Sequence, residues 1–476
     1  MDRRCNILLI NPSYANLFKK IKGSEWKVPP LGISYIAAVL ERDGHKVSLI
    51  DWDMNRYTHE EFCRRIREEN FDIVGITATT PVIKNAYIIA ETVKNISPAT
   101  LVVLGGPHPS AVPLEVAGNK NVDMVIVGEG EETFKELANK FQSGNSNIRD
   151  IAGTVLKDCG VVRKNKVRAL IEDMDSLPFP ARHLLKMENY FISHPLARTD
   201  RTASILTSRG CPYTCGYCNK SIFGTKYRMH SVEYVIAEIE KLVRDYGIKE
   251  FHFIDDTFSL DRDRAIKICE ELVRRKIRLK WATPNGINIA TFNEELAGAM
   301  KKSGCYSVSF GIESGNQKTL DYINKNLKLE DIEKAFKVAK KVGLETVAFI
   351  IIGLPNERRE DIGQTLKFLM KIKPDVADFH TLIPLPGTRI YDELKGKGYI
   401  LEHDYSKYTF HDRPVYKTDW LDRDQIGKAY EEAYRQYHLR PLYIMRRIAR
   451  IRSVKDIAIN IRGMKTIVKN FVFNKK

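Results

Sequence analysis

The chain has 476 residues, 43% hydrophobic and 29% charged, with 76 Lys and Arg against 60 Asp and Glu for a formal net charge of +16. At roughly 100–200 residues per domain, this length suggests about two to four domains. The composition excludes a disordered or collagen-like chain, and eight cysteines are too few for a disulfide scaffold. The longest strongly apolar stretch, around Val347 to Ile352, falls far short of the roughly 20 residues needed to span a bilayer. The apolar run in the opening M-D-R-R-C-N-I-L-L-I is too short for a signal peptide and reads as a first strand. A soluble protein of the reducing cytoplasm is expected. The charge is concentrated: His438 to Lys476 hold eleven Lys and Arg and one acid, leaving +6 for the other 437 residues. An argument from basicity is therefore an argument about the tail.

From residue 5 to 141, short β-branched runs alternate with amphipathic helical patterns, the signature of a parallel sheet wrapped by helices. Strands are expected at Asn6–Ile10, Lys46–Ile50, Ile73–Thr77, Thr100–Leu104 and Met124–Val127, with helices such as Leu31–Arg42 and Glu132–Phe141. Ligands of open α/β sheets lie beyond the strands' carboxyl ends. Those ends carry Asn11, Asp51, Thr77 and Thr79, the run Gly105-Gly106-Pro107-His108, and Gly128-Glu129-Gly130-Glu131. Two glycine turns at adjacent ends either close βα turns or admit a ligand against the backbone. The first turn reads N-P-S-Y and not G-x-G-x-x-G, which argues against NAD or FAD.

After Phe141 comes a turn-rich connector with short β-like runs and prolines at 178 and 180. Then S-I-L-T-S-R-G-C-P-Y-T-C-G-Y-C-N-K places Cys211, Cys215 and Cys218 in C-x3-C-x2-C spacing directly after a strand. Three thiolates in one short loop can converge on a single inorganic centre. Zinc usually closes with a fourth ligand, and no second C-x-x-C exists; Cys5, Cys63, Cys159, Cys269 and Cys305 are isolated. Three cysteines on a four-iron cluster leave one iron open to substrate. Strands at Phe251–Ile254, Leu279–Ala282, Ser307–Phe310, Thr346–Ile352 and Asp378–Leu382 alternate with helices at Val232–Tyr246, Asp263–Arg275, Glu294–Ser303, Leu329–Val342 and Arg359–Lys371. Six βα units make a partial parallel barrel with its site at the strand C-termini. There lie Asp255-Asp256, Asn285, Gly311 to Ser314, Gly353-Leu354-Pro355 and Pro384 to Gly387. A carboxylate at such an end can equally cap the next helix. Arg209, Lys220, Lys226 and Arg228 crowd the cysteine loop and are expected mostly on a solvated face.

The runs V-P-P-L-G-I-S-Y-I-A-A-V-L-E-R-D-G-H-K-V, V-V-L-G-G-P-H-P-S and D-M-V-I-V-G-E-G-E-E-T-F, with the cysteine loop and Tyr217 before its last cysteine, resemble the cobalamin-binding radical S-adenosylmethionine (SAM) family. Within it the chain is most similar to the subgroup of anaerobic magnesium-protoporphyrin ester cyclase and hopanoid methylases. The resemblance implies an α/β architecture: a Rossmann-like cobalamin-binding domain (1–142), a linker (143–200), a partial (β/α)6 barrel (201–395) and a mostly helical basic C-terminal region (396–476). It implies three cofactors: a [4Fe-4S] cluster on Cys211, Cys215 and Cys218, SAM, and cobalamin. F-I-D-D-T-F, G-I-E-S-G and I-I-G-L-P resemble the segments along SAM, which assigns Tyr217, Asp255, Asp256, Glu313, Ser314, Gly353 and Pro355 to it. Asn11, Thr77, Thr79, Gly105, Gly106, His108, Gly128, Glu129 and Gly130 fall to cobalamin. No D-x-H-x-x-G follows the first strand, so no protein imidazole is expected below the cobalt, and His108 is assigned to packing or tail contact.

The resemblance implies radical cleavage of SAM, hydrogen abstraction from a C–H bond and methyl transfer from methylcobalamin to carbon. An oxidative cyclase acting on a porphyrin or lipid is the alternative enzyme. A non-catalytic cobalamin sensor would not need an open iron, and a tRNA methylthiotransferase would need a second cysteine set in the first domain. A flavodoxin- or ferredoxin-type electron donor and a small-molecule or lipid substrate are implied. From Leu442 on, Ile444, Ile448, Ile451, Val454, Ile457, Ile461, Met464, Val468 and Phe471 recur at three- and four-residue steps among Arg446, Arg447, Arg450, Lys455, Arg462, Lys465 and Lys469. This basic amphipathic pattern fits terminal helices packed on the barrel, or peripheral membrane contact through 441–473. It carries no recognisable RNA-binding module, which argues against nucleic acid.

Overall fold

The computed structural model describes residues 4–14, 28–55, 57–143, 147–158, 160–191, 197–410 and 413–451, with 457, 460, 461, 463 and 464 beyond these. Cys159 and part of the tail pattern, namely Val454, Val468, Phe471, Lys455, Arg462, Lys465 and Lys469, lie outside the described residues.

In the first sheet, β1 (Asn6–Asn11), β2 (Lys46–Asp51), β3 (Ile73–Thr77), β4 (Leu101–Gly105) and β5 (Met124–Ile126) are parallel. Their apolar runs are continuous because helices cover both faces. Ile7 and Leu9 of β1 pack with Ala37, Phe134 and Leu137 on one side, while Leu8 and Ile10 pack with Val82, Ile89 and Val93 on the other. The connector adds what the sequence left as short β-like runs: β6 (Thr154–Asp158) and β7 (Val161–Lys164) extend this sheet antiparallel, giving the order β2-β1-β3-β4-β5-β6-β7. The order turns back on itself between β1 and β3, which opens a crevice at their carboxyl ends.

The second sheet follows β8 (Thr202–Ile205), whose end leads into β9 (Ser208–Arg209), the cysteine loop and β10 (Arg228–Met229), a two-residue antiparallel ladder. Then β11 (Glu250–Phe253), β12 (Lys280–Thr283), β13 (Cys305–Glu313), β14 (Glu345–Ile352) and β15 (Val376–Thr381) join β8 as six parallel strands in sequence order. One continuous core backs them, with Trp281, Phe251, Phe253 and Phe310 buried between sheet and helices. The helices are set by local signals. Val232–Tyr246 begins at Ser231, whose hydroxyl accepts from the Tyr234 N–H, and stops at Gly247 in the left-handed region.

A helix at Arg423–His438 lies along the edge strand β15, and the next, Pro441–Ala449, is held at the opposite end from the strand C-termini. There Arg447 pairs with Glu345, the first residue of β14, at 2.7 Å. Arg450 pairs at 2.9 Å with Asp375, just ahead of β15. Two arginines of the basic tail therefore serve packing, while Leu442, Met445 and Ile448 stay exposed. Among the described residues no helix is long and apolar enough to cross a membrane.

The connector is fastened to the barrel by Arg182, whose guanidinium lies 2.7 Å from Glu238 and donates to the Ser204 carbonyl, with both charged side chains at most 4% exposed. Removing one partner of such a pair strands the other charge at a cost of about 3–5 kcal/mol. Arg182→Ala is expected to lower the urea unfolding midpoint accordingly, and Arg182→Met with Glu238→Met to recover most of the loss. An unchanged midpoint in the single variant would show that the pair does not fasten the connector.

Candidate functional site

The carboxyl ends of β1, β3, β4 and β5 floor a cavity of about 350 Å³. Its walls come from Pro30 to Ile36, from Phe134, and from the other sheet through Leu206, Arg209, Ile222 and Phe223. Asn11, Thr77, Gly105, Gly106, Gly128, Glu129 and Gly130 line it as expected from the sequence. At Gly106 the backbone is left-handed (φ 95°), and a Cβ would stand 2.5 Å from Thr77 Oγ1. At Gly128 (φ 82°) the nearest atom would be the Ile222 carbonyl at 3.6 Å, so a side chain there would narrow the gap between the two sheets. A mostly apolar hollow read by backbone suits a bulky planar cofactor and its tail, and the residues present fit cobalamin.

Thr79 and His108 stand outside this lining. Thr79 bonds the Tyr14 hydroxyl at 3.0 Å. His108 is fully buried, with Nδ1 3.2 Å from Thr80 Oγ1 and its ring edge-on to Tyr405 at 4.7 Å. Burial pushes its pKa down to about 4, so the imidazole is neutral.

Between cavity and barrel lies an ion network that corrects one expectation. Arg209 and Arg228 are not on a solvated face: they are 2% and 4% exposed. Arg209 reaches Glu129 at 2.9 Å and Glu131 at 2.6 Å, and Arg228 reaches Glu129 at 2.8 Å while donating to the Ile171 carbonyl. Glu129 therefore lines the cavity with its carboxylate already engaged. Burial opposes the Arg209 charge, but Glu131 and Glu129 outweigh it and hold the group firmly protonated. Lys226, by contrast, is exposed and pairs with Glu172.

The cysteine loop leaves β9 and turns tightly, with the Cys218 N–H donating to the Cys215 carbonyl at 3.0 Å. Arg389 lies over this turn, close enough that a Cβ at Gly216 would stand 2.5 Å from its Nη2 and displace the guanidinium. Cys211, Cys215 and Cys218 are free thiols within electrostatic reach of one another. Burial raises the Cys215 and Cys218 thiols, while Lys325 pulls the first back and Lys220 the second. Three soft thiols in one short loop, in the family's spacing, fit an iron–sulfur cluster with one iron left open.

Around the loop the residues expected along SAM divide into two groups. Tyr217, Asp256 and Glu313 lie around the cysteine thiols. At Gly311–Glu313 the register with β14 shifts, and Glu313 sits at φ 59°, a conformation rare for a residue with a side chain. The kink aims its carboxylate at Lys325, 2.7 Å away, and Lys325 also donates to the Tyr217 hydroxyl at 3.2 Å. Burial opposes the Lys325 charge, and Glu313 with Cys215 more than restores it. Asp256 lies near Lys220 beside Cys218, raised by burial and lowered by that lysine.

Asp255 and Ser314 instead point inward. Asp255 is 1% exposed, and one oxygen accepts from the Thr207 N–H at 2.8 Å, the Thr207 hydroxyl at 2.9 Å and the Ser208 hydroxyl at 2.6 Å. It stitches β11 to the strand ahead of the cysteines. Ser314 is fully buried against Thr365 at 3.1 Å and Glu357 at 3.4 Å. Gly353 and Pro355 form the turn after β14, where Glu357 accepts from the Gly353 and Leu354 N–H groups, both at 3.0 Å, and the Tyr416 hydroxyl donates to the Gly353 carbonyl at 2.6 Å.

Sequence reasoning does not single out Lys325, Glu357 or Tyr416. Glu357, four residues past Gly353 in G-L-P-N-E, was findable as a loop acid able to turn back on its own amides. Lys325 carries no local signal.

Residues 205–369 match the Radical SAM superfamily and residues 24–138 the B12 binding domain. The chain belongs to the cobalamin-binding radical SAM enzymes, and its cofactors are cobalamin, a [4Fe-4S] cluster and SAM. An uncharacterised methyltransferase of Pyrococcus horikoshii is 38% identical over 93% of this chain and 94% of its own length. The anaerobic magnesium-protoporphyrin IX monomethyl ester cyclase of Cereibacter sphaeroides is 30% identical over 91% of this chain and 70% of its own. Among solved structures, the radical SAM methyltransferase TsrM of Kitasatospora setae, with cobalamin and a [4Fe-4S] cluster bound, shares the fold with a TM-score of 0.68. It is 20% identical, over 83% of this chain and 75% of that one.

Burial pushes the Glu357 carboxyl up to about 8, against the pull of the Leu354 and Gly353 amides. The folded chain then holds a proton that the unfolded chain releases above the ordinary 4.5, so stability falls as pH rises from about 4.5 to about 8. Glu357→Gln is expected to flatten this dependence by a few kcal/mol over that window, read from urea midpoints at pH 5 to 8.5. An equally steep decline in the variant would place the titration elsewhere.

Proposed function

We propose that the chain transfers a methyl group from methylcobalamin to a carbon of a small-molecule substrate. The observation that carries this reading is the cavity at the strand ends of the first sheet, walled on its far side by the loop of the three cysteines. When bound, the cofactors supply a hydrogen-abstracting radical on the barrel side and a transferable methyl group on the other. Cys211, Cys215 and Cys218 hold the cluster. Tyr217, Asp256 and Glu313 with Lys325 receive the polar end of SAM, and the Gly353–Pro355 turn receives its base. Asp255, Ser314 and Glu357 act from behind, fixing the strand ends on which those groups stand. Gly105, Gly106, Gly128 and Gly130 with Asn11 and Thr77 cradle the corrinoid, and Thr79, His108 and Glu129 support that cradle. The apolar walls around Tyr35, Phe134 and Phe223 exclude water from the space between the cofactors.

A second reading, oxidative cyclisation, draws on the 30% identity to the cyclase. The 38% identity to the methyltransferase is higher, which favours methyl transfer. An external flavodoxin- or ferredoxin-type donor in the cytoplasm supplies the electron.

Anaerobic reconstitution with iron, sulfide and cobalamin is expected to give a cluster by absorbance and EPR, and 5′-deoxyadenosine from SAM under reduction. A triple Cys211, Cys215, Cys218→Ala variant should lose both while keeping cobalamin. Methyl-deuterated SAM should label methylcobalamin on the protein without any substrate, an outcome that separates a methylase from a cyclase. A cluster that survives the triple variant removes the assignment, and unlabelled cobalamin removes methyl transfer.

The helix Pro441–Ala449 is proposed to rest on an anionic lipid surface, because its exposed Leu442, Met445 and Ile448 lie in a strongly basic segment. Serine at those three positions should abolish co-flotation with anionic liposomes and leave SAM cleavage within about two-fold. Equal flotation would assign the helix to packing alone.

A further inference from the structure

The loop from Gly210 to Tyr227 is pinched at its neck by β9 and β10, where Arg209 and Arg228 are direct register partners. Like charges directly opposite on a ladder repel, and both guanidinium groups are buried. Among the described residues, the carboxylates that compensate them come from the side of the other sheet. Glu129 bridges the two arginines and also accepts from the Ile171 N–H at 2.9 Å, and Glu131 takes the remaining arm of Arg209. Glu129 and Glu131 are 7% and 3% exposed and belong to the Gly128–Glu131 turn that lines the cavity. The Arg209 guanidinium lies 5.1 Å from the ring centres of Tyr35 and Phe223, one on each side of the boundary and both cavity walls. The first cysteine stands two residues beyond Arg209.

We propose that this four-residue network is a positioning device that registers the cysteine loop against the corrinoid cavity and so sets the separation and angle between the two cofactors. Arg209, Arg228, Glu129 and Glu131 are positioning residues in this sense. The inference rests on the cofactor assignment proposed above. Its logic is geometric. A cavity read by backbone glycines holds a ligand against the first sheet but cannot fix where the second sheet stands. Two adjacent cations at the neck of the loop can be neutralised only when the loop sits over the Gly128–Glu131 turn. Removing the bridging charge leaves two buried arginines against one carboxylate, and the neck must move to relieve them.

The test uses the full chain reconstituted with cluster and hydroxocobalamin, then reduced so that cob(II)alamin and the cluster are both paramagnetic. Pulsed EPR reads the dipolar coupling between the two centres. Wild type is expected to show one narrow coupling. Glu131→Gln and Arg228→Lys are expected to retain iron, sulfide and cobalamin content, yet to show a coupling at least two-fold weaker or spread over a broad distribution. If Glu131→Gln does not fold, Arg228→Lys, which keeps the charge and loses the fork, carries the test alone. An unchanged narrow coupling in variants carrying both cofactors overturns the proposal. A wild-type chain that takes up no cobalamin or no cluster overturns the underlying assignment, and is recognised from its absorbance before any variant is compared.

Discussion

Two arginines stand side by side at the neck of the cysteine loop, and the carboxylates that make their burial tolerable belong to a different sheet. This requirement organises the molecule. A buried ion pair contributes little net stability over an apolar substitute, but a broken one is costly. Such a contact is therefore poor glue and a good alignment constraint, since it is satisfied in one arrangement and penalised in its neighbours. The two parallel sheets point their carboxyl ends towards a common space, and the charges at the boundary fix how that space is shaped.

Around it the site is built in two layers with different physics. The inner surface is largely backbone and glycine on the first sheet and thiols on the second. Behind it stands a set of buried acids, Asp255, Glu357 and Glu129, each accepting from backbone amides, hydroxyls or arginines. These contacts hold strand ends and turns in place. Neighbouring residues therefore act differently: Asp255 is committed to Thr207 and Ser208 while Asp256 lies by the thiols, as the alternation of side chains along an extended segment requires. Glu313 and Ser314 divide in the same manner, helped by the kink at Gly311.

Much of this was legible in the sequence, and the reasons are local. Strands sandwiched between helices read as unbroken apolar runs, so Ile73–Thr77 was placed at its observed ends and Asn6–Ile10 to within one residue. Val232–Tyr246 carries its own start and stop in Ser231 and Gly247. The cysteine spacing needed no tertiary information. The hairpin β6–β7 was harder, because Val161 to Lys164 are largely exposed and their composition does not distinguish an edge strand from a loop. Arg209 and Arg228 were misread because composition sends arginine to the surface, while their partners lie 78 to 99 residues earlier. Lys325 was missed for the same reason: its value comes from a register shift that no local pattern announces.

The helix Pro441–Ala449 hangs from the amino ends of β14 and β15 through Arg447 and Arg450, the side of the barrel away from both cofactors. Whatever grips that helix from outside therefore leaves the mouth unobstructed. For immobilisation on a bead or electrode, this is the face to tether, because the strand carboxyl ends that carry the site would look outward into the bulk solution.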